Sequence, residues 1–124
     1  MSTLSRVNHV DITDFLNYLG CERNMSEHTV RNYGVDLAQF LTHLSENDQA
    51  KDFPDNVTHL MIRSFMADLG EKGVSRPTVA RKIAALRSFY KYLQRQGRVT
   101  ANPARVVPPP KLAKKLPPFP PVPL

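Results

Sequence analysis

Apolar residues recur along the chain at spacings of three and four in four separate blocks, the signature of amphipathic helices. In the first, DITDFLNYLGCER at residues 11–23, Ile12, Phe15, Leu16 and Leu19 share one face, and acids stand near the start, where a helix dipole favours negative charge. RNMSEHT interrupts the pattern, and Ser26 has the side chain of a helix N-cap. A second block over about 27–45 sets Val30, Tyr33, Leu37, Phe40, Leu41 and Leu44 in a stripe roughly 100° wide. ENDQAKDFPDN, residues 46–56, is polar and turn-rich and reads as a surface loop with Phe53 turned back onto the core. The third block follows Thr58, another capping side chain, and runs through Leu60, Met61, Phe65, Met66 and Leu69. It closes at GEKGVS, where Gly70 and Gly73 are both able to take the left-handed conformation of a helix end.

The fourth block, SRPTVARKIAALRSFYKYLQRQG at residues 75–97, is the most regular. Pro77 fits only a first helical turn, where a missing N–H costs nothing, and Gly97 supplies a stop. On a wheel of 100° per residue, Val79, Ile83, Leu86, Tyr90 and Leu93 lie within about 40° of a common direction. Arg81, Ala84, Ser88, Lys91, Arg95 and Arg98 fall on the far side, about 100–200° from Val79. The stripes of the second and fourth blocks claim Tyr33 and Tyr90 for packing rather than base stacking. After Gly97 the regime changes, and eight prolines fall between Pro108 and Pro123, a density that favours an extended, polyproline-like linker. No strand pattern and no internal repeat emerges. The expectation is an all-α bundle of four to five helices, with a short helical turn near Asn102 to Arg105 and an extended Pro-rich C-terminal tail. Residues 1–9 read as a flexible N-terminus, 10–106 as the folded domain and 107–124 as the tail.

Composition narrows the chemistry. The 124 residues have room for one domain, and their 41% hydrophobic content can bury a small core. A single cysteine, Cys21, excludes an internal disulfide, and no CxxC or Cys/His cluster points to zinc, so no metal or other cofactor is expected. MSTLSRVNHVDITDF lacks the basic start and apolar run of a secretory signal, and nowhere do about 18 apolar residues follow one another. A soluble, cytoplasmic protein with no membrane partner is the expectation. No phosphate-cradling Gly motif and no Ser/His/Asp arrangement is visible, and His43 and His59 read as isolated surface residues, so no catalytic residue is assigned.

Charge changes the picture most. Up to Lys72 the chain carries six Lys/Arg against eleven acids, whereas from Gly73 onward it carries eleven Lys/Arg and no acid. Such asymmetry creates a field that attracts polyanions. A solvated helix face ordinarily mixes signs at a spacing of four, and the fourth block, with six cations and no acid, does not. Arg and Lys there suit phosphates, and short Ala84 and Ser88 between them let a backbone approach. The outward positions of the second helix, His28, Arg31, Asn32 and Gln39, are residue types that bond to bases and phosphates. By composition alone a solvated surface remains the alternative.

RNMSEHTVRNYGVDLAQFLTHL and VSRPTVARKIAALRSFYKYLQRQGRVTANPA together resemble the N-terminal core-binding domain of tyrosine recombinases, the phage-integrase-like, SAM-like module of Xer-type enzymes. The pattern S-x-H-T-x-x-x-Y-x-x-D-L is met by Ser26, His28, Thr29, Tyr33, Asp36 and Leu37. T-x-x-R-x-x-x-A-L-R-S-F-Y-x-Y-L is met from Thr78 and Arg81 through Ala85, Leu86, Arg87, Ser88, Phe89, Tyr90, Tyr92 and Leu93, and N-P-A by Asn102, Pro103 and Ala104. The resemblance covers roughly residues 10–118 and implies an orthogonal helical bundle that forms half of a clamp around a recombination half-site. It implies double-stranded DNA as partner, with contacts from His28, Thr29, Arg31 and Asn32 on the second helix and from Ser75, Arg76, Thr78, Arg81, Lys82 and Arg87 around the fourth. It further implies a catalytic domain joined through the linker, and neighbouring recombinase subunits. The Tyr, Arg, Lys and His residues that cleave DNA in this family belong to that other domain. The chain by itself is therefore expected to be monomeric, to bind and not to cut. The competing expectation is a helical protein-interaction module whose Pro-rich tail engages a partner.

Overall fold

Four helices form where capping side chains meet the apolar periodicity. In the computed structural model, which describes residues 9–108, α1 spans Val10–Cys21, α2 Glu27–Glu46, α3 His59–Glu71 and α4 Arg76–Arg95. Residues 1–8 and the Pro-rich tail beyond Pro108 lie outside the described residues. Ser26 caps α2 by accepting from the Thr29 N–H at 3.1 Å, and Thr58 caps α3 by accepting from Met61 at 3.3 Å. Ser75 caps α4 from Thr78, and Pro77 sits in that first turn, where its missing N–H leaves no bond unmade. The Ser26 and Ser75 hydroxyls also each donate to the Thr hydroxyl three residues on, at 2.9 Å, so α2 and α4 start with the same Ser–Thr pair. At α1, His9 Nδ1 accepts from the Asp11 N–H. That helix stops two residues short of the stretch its sequence predicts, and Asn24 turns the chain with a φ of 54°, a conformation a short polar side chain tolerates.

The helices pack as an all-α bundle with α4 at its centre, in contact with α1, α2 and α3. Its predicted stripe, Val79, Ile83, Leu86, Tyr90 and Leu93, is buried throughout. Burial extends further than that stripe, to Lys82, Ala85, Phe89 and Tyr92, because α4 is covered on two sides and not one. Phe89 meets Phe15 of α1 edge-on at 5.6 Å and stacks on Phe53 at 5.9 Å, so the 46–56 loop does turn its aromatic residue into the core. Tyr90 donates its hydroxyl to the Pro54 carbonyl at 2.9 Å, and burial holds that phenol neutral by pushing its pKa far up. Among the described residues there is no strand, and no helix is long and apolar enough to cross a membrane.

His43 departs from its expected exposure. It is buried against Phe65, with Nδ1 3.8 Å from Asp68 and Nε2 3.4 Å from the Ser64 hydroxyl, because its place on α2 is one turn from Phe40, on the core side. The expected helical turn after α4 is present only as two successive tight turns, Arg105 N–H to Asn102 O and Val107 N–H to Ala104 O.

Those turns are strapped to α4. Asn102 donates to the Arg87 carbonyl and accepts from the Ala104 N–H, while Arg87 donates from Nη2 to the Val107 carbonyl at 3.0 Å and from Nε to Ala104 at 3.4 Å. Ala104 and Val107 are thereby buried. Removing the guanidinium in Arg87→Ala leaves these carbonyls short of a donor, at an expected cost of about 1–2 kcal/mol. Amide hydrogen exchange is expected to rise first over residues 102–107, and unchanged protection there would contradict the strap.

Candidate nucleic-acid interface

The α2–α4 contact is organised by one buried anion. Asp36 is only 2% exposed and accepts from Arg81 twice, from Nη2 at 2.8 Å and Nε at 3.2 Å, and from Lys82 Nζ at 2.9 Å. Two cations on one carboxylate leave the cluster with a surplus positive charge. Lys82 is 5% exposed and faces inward, whereas the Arg81 side chain stays half exposed. The fork of hydrogen bonds that Arg81 donates to Asp36 raises the Arg81 pKa and fixes the plane of its guanidinium, with Nη1 outside that fork. An arginine held this way has already lost rotamer freedom that a ligand would otherwise have to freeze.

From this crossing the expected contact residues divide. His28 and Asn32 lie one turn apart on α2 and are bonded to each other, Asn32 Nδ2 to His28 Nε2 at 3.3 Å, with Thr29 between them at the cap. Arg31 is exposed on the outer face of α2. There a groove of ≈ 790 Å³ runs beside Val35 and Gln39 to the start of α4, and Arg31, Thr78 and Lys82 all line it. Ser75 and Arg76 stand at the exposed N-terminus of α4. The structure thus brings the α2 set and Ser75, Arg76, Thr78 and Arg81 to the same pair of helices. Two residues of the expected set are turned away from that surface: Lys82 is buried on Asp36, and Arg87 is bonded to the strap at residues 104–107.

The outer face of α4 beyond Arg81 consists of exposed Ala84, half-buried Ser88, and exposed Lys91 and Arg95. Arg98 leaves this series, since it pairs with Asp11 at 2.7 Å and Asp14 at 3.0 Å, and those hydrogen bonds raise its pKa. Asp36 enters the sequence reading only as a position of the family pattern, without a role, although its signal is present: it is an acid on the apolar side of α2, between Tyr33 and Phe40. Among the described residues no group of three His, Cys, Asp or Glu side chains could hold a metal.

The family profile for the phage integrase N-terminal SAM-like domain matches residues 12–97, which span all of α2, α3 and α4 and all but the first two residues of α1. The chain belongs to that family. Among its curated relatives, the tyrosine recombinase XerC of Listeria innocua is 46% identical over 105 residues, covering 85% of this chain and 34% of the relative. The tyrosine recombinase XerC of Thermodesulfovibrio yellowstonii is 42% identical over 108 residues, covering 87% and 34%. That of Syntrophus aciditrophicus is 38% identical over 111 residues, covering 86% and 36%. The chain thus spans about a third of the length of the relatives it matches. No solved structure matches it. The SAM-like bundle seen here has the all-α architecture its sequence motifs imply, and both motif segments fall on the helices joined by Asp36.

Proposed function

We propose that the chain is the duplex-DNA-binding module of a site-specific tyrosine recombinase, forming one half of a clamp around a recombination half-site. The observation that carries the reading is the acid-free outer face of α4, joined through Asp36 to the polar first half of α2. The names of the relatives, tyrosine recombinases in each case, support the same partner. Thr29, Arg31 and Asn32 from α2 and Ser75, Arg76, Thr78 and Arg81 from α4 contact the duplex, with His28 orienting Asn32 through their hydrogen bond. The paired Ser–Thr caps open two helices, whose N-terminal dipoles favour phosphate oxygens. Lys82 and Arg87 serve this surface by holding it, one beneath Asp36 and one through the strap. Strand cleavage and rejoining belong, in this proposal, to the part of such recombinases outside the shared third.

Arg31→Ala separates this reading from a solvated surface. Arg31 is exposed, so stability should hold while duplex affinity falls roughly tenfold, the loss of about 1.5 kcal/mol from one charge-assisted contact. Duplex titrations by fluorescence anisotropy check it. Equal affinity of variant and wild type would remove Arg31 from the interface, and no duplex binding by either at low salt would end the proposal.

A further inference from the structure

A second cationic concavity lies beyond the residues assigned above. Where α1, the start of α2 and the second half of α4 meet, a cleft of ≈ 220 Å³ is lined by Tyr18, Arg23, Tyr33, Ser88, Lys91, Tyr92 and Arg95, together with apolar neighbours and no acid. Arg95 Nη1 approaches the Tyr18 hydroxyl at 3.5 Å. In that contact the phenol accepts, and its own O–H remains a donor without an acceptor among the described residues. Three cations, a hydroxyl and three phenols around one hollow, with no acid in its lining, are the chemistry of an anion site. The nearby acids are engaged or outside the lining: Asp11 and Asp14 are held by Arg98, and Glu22 is exposed at the end of α1.

Position on α4 identifies the anion. Arg81 and Arg95 are 14 residues apart on one helix face, about 21 Å along the axis at 1.5 Å per residue. A DNA major groove is about 12 Å wide, so a helix crossing it with this face down overhangs both phosphate walls. Short Ala84 and Ser88 sit in the middle of that span, where a close approach is needed, and cations stand at its two ends. We infer that the Tyr18–Lys91–Arg95 cleft receives backbone phosphate from the strand across the major groove from Arg81. The inference rests on the reading of the chain as a duplex binder. It adds α1 to the footprint and makes Tyr18, Lys91 and Arg95 phosphate-binding residues.

The test is the double variant Lys91→Ala/Arg95→Ala beside a control, Arg63→Ala, which changes an exposed cation on α3. Duplex affinity measured across a salt series is expected to fall for the double variant, with a slope of log affinity against log salt shallower by about 1.8, two contacts at 0.9 each. The control is expected to match wild type. Ethylation interference locates the effect: wild type should protect phosphates on both sides of one major groove, and the double variant should lose one side only. Tyr18→Phe, which keeps the ring and removes the O–H, should weaken the same phosphates without changing the slope. Inorganic phosphate in place of chloride at matched ionic strength tests for a free-anion site: phosphate that perturbs Lys91 and Arg95 while wild type and double variant bind duplex equally would assign the cleft to free phosphate and overturn the inference. A wild type that binds duplex with an unchanged slope in the double variant would overturn it and leave the interface at Arg31 and Arg81 standing, whereas a wild type that binds no duplex would overturn both.

Discussion

Asp36→Ala is expected to lower the stability of the domain by about 3–5 kcal/mol, because it strands the Lys82 ammonium in the core and releases the Arg81 guanidinium. An uncompensated buried charge costs far more than the net worth of the pair it came from, so the two sides of the cluster should respond unequally. Lys82→Met removes the buried ammonium while Arg81 still satisfies the carboxylate, and its cost should be about 1–2 kcal/mol at most. Adding Lys82→Met to Asp36→Ala should therefore recover a large part of the loss, a coupling that independent sites would not give. Urea denaturation of the two single variants and the double variant measures each quantity. Equal costs for the two single variants, or strictly additive ones, would mean that Asp36 is not the hub of the α2–α4 contact.

The second large effect is expected at Phe89, fully buried at 0% exposure and touching Phe15, Phe53 and Tyr90. Phe89→Ala removes the ring that joins α1 and the 46–56 loop to α4, and leaves a cavity the surrounding rings cannot close without moving. The expected cost is about 3–5 kcal/mol, a large fraction of the roughly 5–15 kcal/mol that holds a typical domain. Phe89→Leu keeps much of the volume, and its cost should stay near 1.5 kcal/mol. A denaturation midpoint for Phe89→Ala close to that of wild type would place this ring outside the core and contradict the packing of α4 on both sides.

Much of the bundle was legible because the signals are local. Ser26, Thr58 and Ser75 announce helix starts through a bond to a backbone N–H three residues away, and Val79 to Leu93 announce a buried stripe through periodicity alone. Phe89 was harder for a physical reason. A wheel returns the single strongest face, whereas α4 is wrapped by three helices, and which second face is covered depends on where α1 and the loop come to rest. The same holds for His43, which reads as a polar surface residue until α3 supplies Phe65 and Asp68. Within the interface, the basic face of α4 was visible as a run of cations without acids. Its division into Arg81, held half exposed, and Lys82, turned inward, was not, because both outcomes follow from a carboxylate 45 and 46 residues earlier. Arg87 illustrates the point again: its partners, Ala104 and Val107, lie across a turn whose path no periodicity predicts.

The central claim is that this surface meets duplex DNA through its phosphates, and the most direct measurement is a duplex titration repeated across a salt series. About five phosphate contacts predict a slope of log affinity against log salt near −4 to −5, a loss of several hundred-fold between roughly 50 and 200 mM salt. No binding at the low end, or binding whose affinity does not change with salt, would contradict it.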